Sequence, residues 1–271
     1  MRLEFVILGC GSSAGAPRAD GDWGACDSAD PRNRRSRCSL LVRRVGEGDA
    51  RTTLVVDAAP EFRLQTSAAG VRRLDALLLT HDHADQCHGL DDIRAFALIQ
   101  RERIPCWMDE ATSATLLSRF GYVFHGQGPY PAIADVHLAP AHGQGWEISG
   151  PSGPIPVVTF HQGHGWSNSL GYRFGDVAYS SDVVDLPEES FTLLQGLDVW
   201  IVDALRYAPH PTHSHVDKTL AWIERVRPKR AILTNLHIDL DYAELAGRLP
   251  PNVEPAVDGL RLEVEVAERD A

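Results

Sequence analysis

The segment Leu77-Leu-Leu-Thr-His81-Asp-His83-Ala-Asp85-Gln-Cys-His88-Gly89 constrains this chain more than any other stretch. An apolar run ends abruptly in two histidines and two aspartates, which sets ligand-type side chains at the tip of a strand. Histidines two apart at such a point can converge on one cation, and imidazole suits zinc or iron. Three nitrogen or oxygen donors with one open position form the pattern of a catalytic metal. A plain polar turn after a strand does not call for four ligand-type residues within five positions.

The rest of the chain alternates strands and helices. Leu3–Leu8, Ser39–Arg44, Thr53–Asp57 and Ala76–Thr80 read as strands, rich in Val, Leu and Ile and bounded by Gly, Asp or Pro. Glu61–Ala69, Asp91–Arg103 and Glu110–Phe120 read as helices. The second half repeats the alternation, with strands at Pro156–Phe160, Leu170–Phe174, Val177–Ser181, Val199–Ala204 and Ala231–Asn235, and helices at Asp217–Val226 and Tyr242–Leu249. Two packed sheets with helices outside are expected, and a length of 271 residues suits one large α/β domain, residues 1–271. Gly143–Pro156, rich in Gly and Pro, reads as a surface excursion.

One motif is a decoy. Gly9-Cys-Gly11-Ser-Ser-Ala14 follows a strand and matches the dinucleotide-binding fingerprint, which works only if a helix begins at the glycines. Gly15, Pro17, Asp20 and Gly21 follow instead, and they are loop residues.

The His81 segment resembles the signature of the metallo-β-lactamase superfamily, H-x-H-x-D-H after an apolar strand. The resemblance implies a four-layer αββα sandwich and a hydrolase using divalent cations, zinc foremost. Three further anchors extend it: His164 before the strand Ser169–Phe174, Asp182 at the end of Val-Ala-Tyr-Ser-Ser-Asp, and His237 at the end of Ala-Ile-Leu-Thr-Asn-Leu-His. By the resemblance His81, His83 and His164 hold one metal, while Asp85, His237 and a bridging Asp182 hold a second. His161 competes with His164. Gln86 stands where the signature has histidine. Its neutral carbonyl is a weaker ligand, so the second site is weakened or prefers manganese or iron. His88, three residues after Asp85, is a substitute ligand by helical spacing, and a one-metal enzyme is a further option.

Within the superfamily the chain is most similar to phosphodiesterases of the phosphoribosyl cyclic phosphate type. Gly9-Cys-Gly11-Ser-Ser, Asn33-Arg-Arg35-Ser-Arg37-Cys-Ser39 and Pro211-Thr-His213 carry that likeness. It implies hydrolysis of a small phosphodiester, cyclic ones included, by a metal-activated water. His213 and Asp85 count as catalytic residues, with His213 assisting the leaving oxygen. His215 is a lesser candidate that suits a helix start, and His210 reads as a loop residue. Only Cys26 remains of the cysteines with which some of these enzymes build a structural zinc site, so that site is not expected. A lactonase, a thioesterase or a tRNA 3′-processing nuclease on the same fold is the alternative. Beyond these stands a non-catalytic accessory protein of cofactor biosynthesis.

Charge and cysteine usage narrow the partners. A net charge of −11 disfavours a large nucleic-acid surface, which depends on neutralising phosphates. It leaves room for a small anionic substrate beside a cation. Arg32, Arg34, Arg35 and Arg37 read first as a solvated loop and second as a phosphate contact. The five scattered cysteines indicate reduced thiols. No stretch is long and apolar enough for a signal peptide or a membrane span, so a cytoplasmic protein is expected. The oligomeric state stays open, a homodimer included. Trp23, Trp166 and Tyr207 lie in loops near the motifs, where aromatics can line a pocket or pack under the loop.

Overall fold

The computed structural model describes residues 1–266. The chain lays down six strands in its first half: β1 (Arg2–Gly9), β2 (Ser39–Val45), β3 (Arg51–Val56), β4 (Ala76–Leu78), β5 (Ile104–Met108) and β6 (Ala134–Leu138). Seven more follow: β7 (Gly145–Ile148), β8 (Ile155–His164), β9 (Ser167–Phe174), β10 (Val177–Ser180), β11 (Val199–Asp203), β12 (Arg230–Thr234) and β13 (Val253–Pro255). The last strand, β14 (Arg261–Glu265), returns to pair with β1. Two seven-stranded sheets result, ordered β14-β1-β2-β3-β4-β5-β6 and β13-β12-β11-β10-β9-β8-β7. Both are mixed, with β3 to β6 parallel in the first and β10 to β13 parallel in the second.

The central strands are apolar on both faces because both faces are covered. Along β1, Leu3, Phe5 and Ile7 pack between the sheets against Tyr172 and Phe174, whereas Val6 and Leu8 point to the helical layer. Five helices accompany the first sheet: α1 (Phe62–Ala68), α2 (Ala84–Cys87), α3 (Arg94–Gln100), α4 (Glu110–Arg119) and α5 (Gly121–His125). The second carries α6 (Glu188–Leu193), α7 (Val216–Val226) and α8 (Tyr242–Ala246). Phe62, Ile93 and Phe96 fill the first helix–sheet layer, and Phe191, Trp222 and Leu245 fill the other. Three apolar layers between four layers of structure, two sheets and two helical layers, make the expected αββα sandwich.

Several expectations shift. Gly143–Pro156 is not a mere excursion, because β7 lies inside it and pairs antiparallel with β8. The strand expected at Pro156–Phe160 continues to His164, so its polar end is the ligand-bearing part. The helix expected over Asp91–Arg103 is a 3-10 turn at Leu90–Ile93 followed by α3.

What positions the site is the shared edge at the C-terminal ends of the parallel strands. Asp57 follows β3, His81 lies just past β4, Asp182 follows β10, Asp203 ends β11 and Asn235 follows β12. Asp57, Asp182 and Asn235 are buried and left-handed, with φ of 64°, 54° and 61°. Asp and Asn are the non-glycine residues that tolerate this region best, and strain of this kind concentrates where a side chain must be aimed. No helix among the described residues is long and apolar enough to cross a membrane.

Candidate metal centre

Three imidazoles meet at this edge. Ring centroids lie 4.4 Å apart for His81 and His83, 5.0 Å for His81 and His164, and 5.1 Å for His83 and His164. Their ligand-capable atoms all fall within 4.8 Å of one another. His81 arrives from the end of the β4 segment, His83 caps α2, and His164 closes β8, so both sheets contribute.

Two of the rings are oriented from behind. His81 Nδ1 lies 2.9 Å from Thr80 Oγ1, which donates onward to the buried Asp57 carboxylate at 3.0 Å. His164 Nδ1 donates to the Thr212 carbonyl at 2.7 Å. Such partners set which ring nitrogen is free to ligate. The free one on His81, Nε2, is buried and has no hydrogen-bond partner. Burial, chiefly, drives the His81 pKa down to about 3 and also lowers that of His164, so both rings are neutral. A buried neutral imidazole with an orphaned nitrogen, facing two others, fits a divalent cation.

Asp182 completes this side. Its Oδ1 lies 4.0 Å from His164 Nε2 and 3.9 Å from His213 Nδ1. Its Oδ2 accepts from Ser181 Oγ at 2.5 Å and from Gln86 Nε2 at 3.0 Å. Burial pushes the Asp182 pKa up, but His81, His213 and His164 outweigh it and leave it lowered. Asp85 accepts from the same Gln86 amide at 3.2 Å. Burial, then the neighbouring Asp182, raises its pKa to about 6.

His213 joins the cluster from the loop before α7, its ring 4.8 Å from that of His164. Its Nδ1 is 2.9 Å from Asp203 Oδ2, and Asn235 Nδ2 approaches the same nitrogen at 3.1 Å. Burial works against charge on His213, yet Asp203 overcomes it, with help from Asp182 and Asp85, and its pKa rises to about 9. An imidazolium held by a buried carboxylate is a proton donor in waiting.

The structure also separates the competing histidines. His161 is exposed and pairs with His142, centroids 5.1 Å apart, while His164 turns inward. His88 packs edge-on against Phe120 at 5.7 Å. His215 is the N-cap residue of α7, and His210 lies 5.2 Å from the His213 ring. His237 is not among the grouped ligand atoms. Its Nε2 meets Arg18 Nη2 at 2.8 Å, and its Nδ1 meets Asp239 at 3.0 Å.

The sequence reading did not single out Asp57, Thr80, Asp203, Asn235 and Arg18. Asp57 and Asp203 did carry a signal, a lone carboxylate ending an apolar strand, as Asp182 does. Among the arginines, the solvated-loop reading holds for Arg32 and Arg34, which are exposed. It fails for Arg35, which is 2% exposed. Arg35 donates to the carbonyls of His237 at 3.0 Å and Leu240 at 2.6 Å and to Asn33 Oδ1 at 3.1 Å, bracing the loop that carries His237. Arg35→Ala should cost on the order of 3 kcal/mol in urea unfolding, because buried acceptors lose a charged donor. Arg35→Lys should restore little, since an ammonium lacks the fork. Trp23 lies under Arg34, Tyr207 under Arg248, and Trp166 stands 84% exposed at the tip of the β8–β9 hairpin. All five cysteines are free and buried.

A two-sheet αββα sandwich with histidines and aspartates gathered at one strand edge defines a metal-dependent hydrolase scaffold. A family model described as a β-lactamase superfamily domain matches residues 52–238, and the chain belongs to the metallo-β-lactamase superfamily. Within that superfamily its sequence and fold lie close to the PhnP family. A solved structure described as a new diphosphatase from the PhnP family is 34% identical, with a TM-score of 0.86 and 98% of each chain covered. Zinc-bound PqqB from Methylobacterium extorquens is 17% identical with a TM-score of 0.70, covering 96% of this chain and 99% of that one, and shares the fold. An octanoyltransferase of Porphyromonas gingivalis is 29% identical over 261 residues, which is 95% of this chain. The chain spans about half, 51%, of the length of that curated relative.

Proposed function

We propose that the protein hydrolyses a small phosphodiester, with His81, His83, His164 and Asp182 holding a divalent cation. The observation that carries this reading is the orphaned, buried His81 Nε2 inside a cluster that also contains the His213–Asp203 pair. A cation bound there would supply Lewis acidity to a phosphoryl oxygen and acidify a water molecule. The chain's own residues do the rest. Thr80 and the Thr212 carbonyl fix the ring orientations of His81 and His164. His213, kept charged by Asp203, offers a proton to the departing oxygen and then regains it from solvent, balancing the cleavage.

Zinc or manganese suits three imidazoles and a carboxylate. The 34% identical diphosphatase supports a second reading, in which the bond broken is a phosphoanhydride. Chelated protein reloaded with zinc, manganese or iron, one at a time, should hydrolyse bis(p-nitrophenyl) phosphate. A nucleoside diphosphate serves as the competing substrate. Metal-dependent turnover of the diester supports the first reading, and cleavage of the anhydride alone transfers the proposal to the second. No turnover of either, despite bound metal, would overturn both.

A further inference from the structure

We infer that the protein works with a single cation, and that the Gln86 carboxamide fills the place where a second would sit. The inference rests on the reading of the site as a metal hydrolase.

Asp182 has two oxygens with different duties. Oδ1 is the one turned toward the imidazoles, at 4.0 Å from His164 Nε2. Oδ2 is already taken by two neutral donors, Ser181 Oγ and Gln86 Nε2. To bridge two cations through separate oxygens, Asp182 would have to give up the Ser181 and Gln86 donors on Oδ2.

The same amide nitrogen binds the Asp85 carboxylate, so Gln86 links the two acids that a second cation would link. A carboxamide has two N–H donors, one for each carboxylate. Buried like charges side by side are eased by a cation, a shared proton or such a donor between them. The reverse orientation of the amide would press its oxygen against both carboxylates. Gln86 is fully buried at 0% exposure, seated where its amide and a cation compete for the same oxygens.

The remaining imidazoles are committed elsewhere. His237 Nε2 lies against Arg18, whose guanidinium is a cation itself. His213 Nδ1 is held by Asp203. Among the described residues, no group of three ligand atoms includes Asp85 or His237, and the second group, His164, Asp182 and His213, shares His164 and Asp182 with the first site and has its third member held by Asp203. Three imidazoles and one carboxylate oxygen are what remains, a set sufficient for one zinc, iron or manganese ion.

The test is stoichiometry. Protein stripped with chelator, reloaded with excess manganese and desalted should hold one equivalent by elemental analysis, with the electron paramagnetic resonance signal of an isolated ion. Asp85→Asn should keep that equivalent. Gln86→His, which exchanges the donor for a ligand, should raise the content to two equivalents and give a spin-coupled signal. Two equivalents in the unaltered protein, or loss of an equivalent in Asp85→Asn, would overturn the inference and leave the proposed function standing. No bound metal in the unaltered protein overturns both. If Gln86→His folds poorly, the unaltered protein and Asp85→Asn still decide the matter.

Discussion

His81→Ala should release the bound metal and lower phosphodiester turnover by more than about a thousandfold. A metal acting on the phosphoryl group contributes several kcal/mol to transition-state stabilisation, and each ~1.4 kcal/mol is a tenfold in rate. The loss should come without unfolding. Thr80 Oγ1, which faces the His81 ring, keeps both oxygens of Asp57 as partners at 3.0 Å when that ring is gone. Metal analysis and circular dichroism of the variant check the two halves of this claim. Retained metal with full activity would remove His81 from the centre. For Asp182 the informative substitution is Asn: the position is left-handed at φ 54°, which asparagine tolerates and alanine does not. Asp182→Asn should weaken the metal less than His81→Ala, because a carboxamide oxygen can still ligate.

His213→Asn should lower kcat by about a hundredfold to ten-thousandfold while the metal content stays unchanged, the range expected when a general acid is lost. Asparagine is the appropriate replacement because its amide reaches about as far as Nδ1 and can still donate to Asp203. The buried Asp203 carboxylate, at 0% exposure, is then not stranded. A diester with a poor alkoxide leaving group should suffer far more than one with p-nitrophenolate, which departs without a proton. Asp203→Asn should show the same leaving-group pattern with a smaller loss, because His213 gives up the negative partner that favours its charge. Metal loss in His213→Asn would make His213 a ligand, for which its grouping with His164 and Asp182 is geometrically sufficient.

The centre was legible in the sequence where ligands are contiguous or end an apolar run. His81 and His83 stand out in the sequence itself, His164 and Asp182 rest on the resemblance, and the structure brings the four side chains together. Spacing alone could not tell His164 from His161, because only the face of β8 on which each lies decides it. His213 rested on resemblance, since nothing in Pro-Thr-His announces a carboxylate partner ten residues upstream. Asp203 looked like the last residue of an ordinary strand. Its role comes from tertiary placement.

For the fold, long apolar runs such as β1 and β11 were plain, while shorter or less apolar strands were not. Pro105 argues against a strand, yet β5 pairs in parallel on both sides. In β14 apolar and charged residues alternate, Arg-Leu-Glu-Val-Glu, a short half-exposed pattern that competes poorly with neighbouring turn signals. The net charge spoke only to the partners of the protein, not to its architecture.

The return of β14 to β1 has a bearing on how the chain comes off the ribosome. Met1 and Val266, 265 residues apart, end up hydrogen-bonded to one another. Until residues 261–265 emerge, β1 is a nascent edge strand of unpaired amides, open to pairing with whatever else is at hand. Contacts of such sequence separation are slow to form, because a large loop must close before any reward is collected. The outer strand is thus the latch that closes the open side of β1. Aggregation during folding should start through the open side of β1.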